Sequence, residues 1–262
     1  MIPLKYLTQE AKEQGLPENK HRAIIREYLQ NIILHSIYKT RNGKKLYFMG
    51  GTALRYCYQL PRFSEDLDFN TKKLTHKEIR NITQEATRNL QLEGFKTETQ
   101  YTQRKTLYTA EINLPQIMQQ YNITDQRGVD LMIKLEVNKP HWDLETKQHI
   151  ISLYGYNYTP TVMTESSMIT EKLCALLNRK RGRDIYDLMF MLKKKFPFNK
   201  KILAANNLPP QPKQLIIQRL KNLGEKELKR LANQVQPFLF REEDTEPIIK
   251  AQQYAQKHLK NY

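Results

Sequence analysis

Apolar residues in the first half of the chain follow two different spacings. Between His21 and Lys39 they recur every three or four positions, and Ile24, Tyr28, Ile32 and Ile33 share one face. This spacing predicts an amphipathic helix. A second helix is predicted over Thr75–Leu92, because Thr75 and the glutamate three residues later have the spacing of a capping box.

Other segments of this half are predicted to be strands, and the clearest of them alternates with a period of two. The predicted strands are Leu46–Met49, Phe63–Phe69, Phe95–Tyr101, Thr106–Leu114 and Val129–Val137. In the last of these, Leu131, Ile133, Leu135 and Val137 face one way, and Asp130, Met132, Lys134 and Glu136 face the other. The Pro140–Pro160 region is predicted to be a connection with one short strand near Ile150–Tyr154.

From Thr164 onward the pattern is almost purely helical. The predicted helices are Glu165–Arg179, Asp184–Lys195, Pro212–Leu223, Lys226–Gln234 and Pro247–Lys260. The chain is therefore predicted to be α+β, with a mixed sheet flanked by helices in residues 1–158 and a basic helical bundle in residues 159–262.

Composition adds a strong positive charge. There are 43 Lys and Arg residues against 27 Asp and Glu residues, a net charge of +16, and this balance favours polyanionic partners. Lysine-rich surfaces that only maintain solubility are the alternative. No apolar run is long enough for a membrane span and no signal peptide is recognisable, so a cytoplasmic protein is expected. Cys57 and Cys174 lack metal-binding spacing and are expected to be reduced.

Candidate chemistry begins after the first predicted strand. Gly50 and Gly51 lead into a predicted helix that ends near Gln59, and Thr52 is predicted to cap the start of this helix. A glycine turn before a helix directs backbone N–H groups and the positive end of the helix dipole at a ligand, which suits a phosphate. A simple turn is the alternative.

The next predicted strand carries Asp66 and Asp68, two residues apart and so on one face, with Ser64 on the same side. Two carboxylates this close repel unless a cation lies between them, and Mg²⁺ with substrate phosphates fits that need. An exposed edge strand with two solvated acids is the alternative. Glu136 is the candidate third acid of a two-metal site, with Asp130 and Glu111 as competitors.

A second motif lies in the helical half. Lys172 and Arg179 share a helix face, and Asp184 and Asp187 stand three apart near the start of the next helix. Lys172 could reach triphosphate oxygens. A structural salt bridge between Lys172 and the acidic turn is the alternative.

The two motifs together resemble the AbiEii/AbiGii family of nucleotidyltransferase-like toxins, which belong to the polymerase-β-type superfamily. The matching residues are Gly50–Leu54, Arg62–Phe69, Lys172 with the helix that ends at Arg179, and Arg183–Leu188. Closely matching motifs cover about a sixth of the chain.

The resemblance implies an N-terminal nucleotidyltransferase fold followed by a helical bundle. It implies that Asp66 and Asp68 bind divalent metal, that Gly50, Gly51 and Thr52 contact nucleotide phosphates, that Lys172 binds the triphosphate, and that Asp184 is a further required acid. Arg62 and Ser64, within the same motif, are further expected nucleotide contacts. The family's toxins transfer nucleotides from an NTP, in some members to tRNA acceptor ends, and are often paired with an antitoxin.

The leading hypothesis is an NTP-dependent nucleotidyltransferase that uses one or two Mg²⁺ ions and acts on RNA, with tRNA as the expected acceptor. It would be the toxin of a toxin–antitoxin pair. The residues expected to hold the RNA backbone are Arg179, Lys180, Arg181, Lys193, Lys194 and Lys195. Two alternatives remain open: transfer to a protein or small molecule, and a non-catalytic nucleic-acid-binding module on the same fold.

Overall fold

A computed structural model describes residues 1–126, 130–260 and 262 of the chain. The polypeptide divides into two units. The first comprises Met1–Tyr58, Phe63–Pro140 and Thr146–Val162, and the second comprises Gln59–Arg62, His141–Glu145 and Met163–Tyr262. Two short segments that precede residue 158 thus belong to the second unit, so a single boundary does not separate the two units.

The first unit is built on a seven-stranded mixed sheet. Its elements are α1 (Leu4–Glu13), α2 (His21–Lys39), β1 (Tyr47–Met49), α3 (Gly50–Tyr58), β2 (Asp66–Asn70), α4 (His76–Leu92), β3 (Glu98–Arg104), β4 (Leu107–Leu114), α5 (Ile117–Gln120), β5 (Leu131–Asn138), β6 (Thr146–Gln148), β7 (Ile151–Leu153), β8 (Tyr156–Tyr158) and β9 (Thr161–Met163). The sheet order is β3-β4-β5-β2-β1-β9-β6, and β7 pairs with β8 as a separate hairpin. β2 runs parallel to β5 and antiparallel to β1.

Alternation fixes which face of the sheet is buried. In β5, Leu131, Ile133, Leu135 and Val137 are all fully buried, as predicted from their spacing. The predicted start of this strand, Val129, lies outside the described residues. In β2, Leu67 and Phe69 enter the same core, so Asp66 and Asp68 point to the opposite face of the sheet.

Helix α2 has the predicted bounds but not the predicted one-sided burial. It packs against α1, α4, β5 and β8, and even its polar residues Glu27, Gln30 and Asn31 are buried. Each of these three has a specific partner, which a buried polar group requires. Helix α4 begins with the predicted capping box of Thr75 and Glu78.

Several predicted boundaries were wrong. Strand β2 begins at Asp66 rather than Phe63, so Ser64 lies in the preceding loop and not on the strand face. The stretch predicted as a connection with one strand contains β6, β7 and β8, whose three residues each are too few to give a clear period. Helix α3 begins at Gly50, so Thr52 is inside the first turn and is not the cap.

The second unit is helical. Its helices are α6 (Glu165–Asn178), α7 (Gly182–Lys193), α8 (Lys200–Ala205), α9 (Pro212–Lys221), α10 (Glu225–Val235), α11 (Glu246–Ile249) and α12 (Ala251–Leu259). Helix α7 is central and packs against α6, α10, α11 and α12. A Cβ on Gly182 would collide with the backbone carbonyl of Leu231 and lie 2.7 Å from Val235 Cγ2, so glycine is needed where α7 approaches α10. The predicted Pro247–Lys260 helix is broken at Lys250 (φ −104°, ψ 33°). Within residues 1–126, 130–260 and 262, no helix is long and apolar enough to cross a membrane.

Candidate active site

The Gly50-Gly51 turn is shaped by its neighbour on β2. Gly50 has φ +75°, a left-handed conformation that costs other residues free energy. A Cβ at this position would also lie 2.8 Å from Cγ and 2.9 Å from Cβ of Asp68. Glycine is therefore required both by the backbone conformation and by the close approach of the Asp68 carboxylate to the start of α3.

Asp66 and Asp68 lie on the polar face of β2, and both are half-buried. The strand is held in place by hydrogen bonds to its backbone. Thr52, which is fully buried, donates its hydroxyl to the Asp66 carbonyl at 2.5 Å. Gln30 Nε2 donates to the carbonyls of Ser64 at 3.1 Å and Glu65 at 2.9 Å. The Thr52 side chain thus helps to position β2, and contact of Thr52 with the nucleotide stays a prediction.

The neighbouring strand β5 places Glu136 directly opposite Asp68 and Lys134 directly opposite Asp66. Directly opposed residues on adjacent strands lie about 5 Å apart at Cα and point to the same face. Glu111 on β4 opposes Lys134, so it is separated from Asp66 by one strand. Asp130 lies before β5 and accepts hydrogen bonds from Asn113 and Gln116.

Glu136 is therefore the acid nearest to the pair by register, among the three considered. In the structure it forms an ion pair with Lys134 at 2.5 Å. The hydrogen bond to Glu136, together with its negative charge and that of Asp66, raises the pKa of Lys134 above its ordinary value despite partial burial. Use of Glu136 as a metal ligand would thus require it to exchange Lys134 for the ion.

The donor set on this face suits a hard cation. Asp66, Asp68 and Glu136 offer only carboxylate oxygens, the ligands that Mg²⁺ prefers, and Mg²⁺ commonly uses one or two carboxylates with substrate phosphates and water. In the described part of the chain, no three His, Cys, Asp or Glu side chains are grouped as a ready-made metal site. The Asp66–Asp68 pair supplies two carboxylates, a number that Mg²⁺ commonly takes from a protein.

The second unit contains a chain of ion pairs. Lys172 Nζ on α6 lies 3.1 Å from Asp184 Oδ1 and 3.0 Å from Asp187 Oδ2, both on α7. Arg179 binds Asp184 through two nitrogens at 2.7 and 3.1 Å. Arg62 binds Asp187 through two nitrogens, each at 2.7 Å. The Lys172 salt bridge that sequence analysis weighed as an alternative is thus formed.

Burial and neighbouring charges together set the pKa values of the groups in this series of ion pairs. Burial opposes ionisation of Asp187, but Arg62 and Lys172 outweigh it and hold its pKa at about 2. The pKa of Asp184 is lowered against the same burial effect by Lys172 and Arg179. Burial also opposes the charge of Lys172, yet the two carboxylates raise its pKa above the ordinary value.

Two assignments change with this geometry. Arg62 is only 2% exposed and is the internal counter-ion of Asp187, whereas sequence analysis had assigned it to the nucleotide. Asp187 was absent from the predicted site although it contacts both Arg62 and Lys172. Its sequence signals were the spacing of three from Asp184 and its place in the Arg183–Leu188 motif, whereas its partner Arg62 is 125 positions away.

The basic residues proposed for RNA are at the surface of the second unit. Lys180 and Arg181 are exposed between α6 and α7, and Lys193, Lys194 and Lys195 are exposed where α7 ends. Arg179 is 46% exposed while bound to Asp184. These positions permit contact with a polyanion and do not by themselves specify one.

Comparison with known proteins identifies the family. The family model described as nucleotidyl transferase AbiEii toxin, type IV TA system, matches residues 32–257. No curated protein sequence matches the chain. Among solved structures, JHP933 from Helicobacter pylori is similar at 20% identity and a TM-score of 0.57, covering 91% of this chain and 92% of its own. MenT4, a nucleotidyltransferase toxin from Mycobacterium tuberculosis H37Rv, is similar at 18% identity and a TM-score of 0.54, covering 85% of this chain and 72% of its own.

The predicted α+β fold, with its mixed sheet and C-terminal helices, is confirmed by these structural relatives. The family match spans both motifs, from the residues before the Gly50-Gly51 turn to those after Asp187. The chain therefore belongs to the AbiEii nucleotidyltransferase toxin family.

Proposed function

We propose that this enzyme transfers a nucleotide from an NTP to RNA, with tRNA as the expected acceptor, in a Mg²⁺-dependent reaction centred on Asp66 and Asp68. The observation that carries the proposal is the placement of these two carboxylates on one face of β2, with Glu136 opposite Asp68 and the Gly50 turn against it. Carboxylates concentrated on one face attract a cation, and the adjacent start of α3 suits a phosphate.

The reaction is an exchange at the α-phosphorus of the NTP. An acceptor hydroxyl oxygen forms the new bond to this phosphorus, the bond to the oxygen that bridges to the β-phosphate breaks, and pyrophosphate leaves. The hydroxyl proton passes to a carboxylate of the site and then to water. Mg²⁺, when bound, supplies positive charge that stabilises the attacking and leaving oxygens.

The chain's own residues would bind and orient the substrates. Backbone N–H groups at Gly50 and Gly51 would face the phosphates, because a helix N-terminus favours negative charge. Asp66 and Asp68 would hold the metal, and Glu136 would join them after release from Lys134. Lys172 and Asp184 stay candidates for triphosphate binding and its support.

RNA as the acceptor is supported by the net charge of +16 and by the exposed basic residues at both ends of α7. Neutralising several phosphates releases counter-ions, so RNA binding should weaken steeply with salt. As a member of a toxin–antitoxin family, the protein is expected to have a separately encoded antitoxin as a partner.

The acceptor is tested by incubating the purified protein with each α-labelled NTP, Mg²⁺ and total tRNA, and by separating RNA from protein afterwards. Label in tRNA, lost when Mg²⁺ is chelated, supports the proposal. Label in protein would instead identify a protein acceptor. No transfer with any NTP and any divalent metal, from folded protein, would refute the proposal and favour a non-catalytic binding module.

A charge-reversal variant tests the RNA surface separately. Lys193→Glu combined with Lys195→Glu is expected to weaken tRNA binding and to lower its salt dependence. Lys5→Glu combined with Lys12→Glu, two exposed changes in α1 of the first unit, is the control with the same change in charge. Equal salt dependence in both variants would show that the end of α7 is not part of the RNA-binding surface.

A further inference from the structure

We infer that Arg62 and Asp187 are a positioning pair, which holds the Lys172 ammonium in place for a nucleotide phosphate. The inference rests on the proposed function, because it takes an NTP as the ligand of Lys172. It assigns Arg62 a role through Asp187 and not through direct contact with the nucleotide.

The five charged groups alternate in sign, and the three cations become more exposed from Arg62 through Lys172 to Arg179. Arg62 and Asp187 are 2% and 0% exposed, Lys172 is 14% exposed, and Asp184 and Arg179 are 2% and 46% exposed. The buried end is thus the Arg62–Asp187 pair, and the accessible groups are Lys172 and Arg179. With both acids ionised, the three cations leave the cluster one net positive charge, the sign that a phosphate requires.

The oxygen atoms show how the pair acts on Lys172. Asp187 Oδ2 accepts from Arg62 Nη2 at 2.7 Å and also lies 3.0 Å from Lys172 Nζ. Asp184 Oδ1 accepts from Lys172 at 3.1 Å. An ammonium has three N–H donors, and these two carboxylates occupy two of them. Two of the three donors thus face carboxylates, and the third is the one that a phosphate oxygen would take.

Arg62 limits how strongly Asp187 can hold Lys172. The bidentate guanidinium satisfies both carboxylate oxygens, which is the strongest geometry for this pair. Without Arg62, the buried carboxylate would rely on Lys172 for neutralisation, and the ammonium would be drawn away from the phosphate. Without Asp187, Lys172 would lose one of its two anchors.

Stability alone does not account for the pair. A buried ion pair can often be replaced by apolar side chains of similar volume with little or no loss of stability, whereas removing one partner leaves an unpaired buried charge. The double variant Arg62→Met with Asp187→Leu therefore separates the two roles. It removes both charges together and leaves the packing volume similar.

The experiment measures NTP binding by calorimetry, with each of the four NTPs and Mg²⁺ and without acceptor RNA. We expect the double variant to be folded and to bind NTP at least tenfold more weakly than the wild type. Arg62→Lys, which keeps the charge but loses the bidentate geometry, should weaken binding by a smaller factor. In a Lys172→Met background, adding the double change should cause no further loss, because the pair acts through Lys172.

The outcomes separate the inference from the proposed function. No NTP binding by the folded wild type would refute the proposed function and the inference with it. Wild-type binding that is equally strong in the folded double variant would refute only the inference. A further loss in the Lys172→Met background would instead indicate direct contact between Arg62 and the nucleotide. If the double variant does not fold, Arg62→Lys decides, and unchanged binding would overturn the positioning role.

Discussion

Gly50→Ala is the substitution that most directly tests how the turn and the acidic pair are built together. The added Cβ would lie 2.8 Å from Cγ and 2.9 Å from Cβ of Asp68, closer than real side chains approach each other. Because the Thr52 hydroxyl on α3 is hydrogen-bonded to the backbone of β2, the two elements cannot easily separate, and the Asp68 carboxylate has to move. We expect the variant to fold and to lose most of its nucleotidyltransferase activity.

The expected magnitudes differ for stability and for activity. A left-handed backbone costs alanine roughly 1–2 kcal/mol, and reduced freedom of the unfolded chain offsets about 0.4–1 kcal/mol of that. Displacing a metal-binding carboxylate by about 1 Å can cost on the order of 100-fold in rate. The loss of activity should therefore be far larger than the modest change in the free energy of unfolding.

Gly155→Ala is the matched control. Gly155 also has φ +75°, but no heavy atom lies within 4 Å of a Cβ placed there. The backbone cost is thus shared by the two variants, and only Gly50→Ala disturbs Asp68. Urea unfolding and the rate of label transfer from an NTP, measured on both, separate the effects. Equal activity in the two variants would refute the role given to the Gly50–Asp68 contact.

Three further predictions concern buried groups. Thr52→Val should lower the free energy of unfolding by about 1 kcal/mol in urea denaturation, since it removes a buried hydrogen bond, and Thr52→Ser should retain most of it. Gly182→Ala should cost about 1–3 kcal/mol because its Cβ meets the Leu231 carbonyl and Val235, whereas Gly224→Ala, with no heavy atom within 4 Å of its Cβ, should cost less. The pKa of Asp187 is about 2 in the folded protein against an ordinary 3.8, so its ionisation should contribute roughly 2 kcal/mol above pH 4, lost as the pH falls towards 2. Asp187→Asn should reduce this loss of unfolding free energy at low pH, measured by denaturation at a series of pH values. An unchanged loss would contradict the low pKa of Asp187.

Local patterns predicted the elements whose signals are local. The bounds of α2, the capping box of α4 and the alternation of β5 all follow from residues a few positions apart. The same applies to Asp66 and Asp68, which share a strand face by their spacing. These predictions needed no tertiary contact, because the residues that determine each feature lie a few positions apart in the sequence.

Features that depend on distant partners could not be predicted in this way. The opposition of Asp68 and Glu136 depends on the register between β2 and β5, which no local pattern specifies. Thr52 has the residue type of a helix cap, yet its hydroxyl is taken by a carbonyl on β2. Arg62 looks like a surface nucleotide contact until Asp187, distant in sequence, is brought beside it. In each case contacts between residues distant in sequence, and not the local pattern, decide where the side chain lies.

The central claim is that Asp66 and Asp68 hold the metal for nucleotide transfer. The most direct test is the rate of Mg²⁺-dependent labelling of tRNA by Asp68→Asn, beside Glu111→Gln, which removes an exposed acid from the same face of the sheet. The account predicts that Asp68→Asn is folded and loses labelling by several orders of magnitude, while Glu111→Gln stays near wild type. Labelling by folded Asp68→Asn at the rate of the Glu111→Gln control would contradict it.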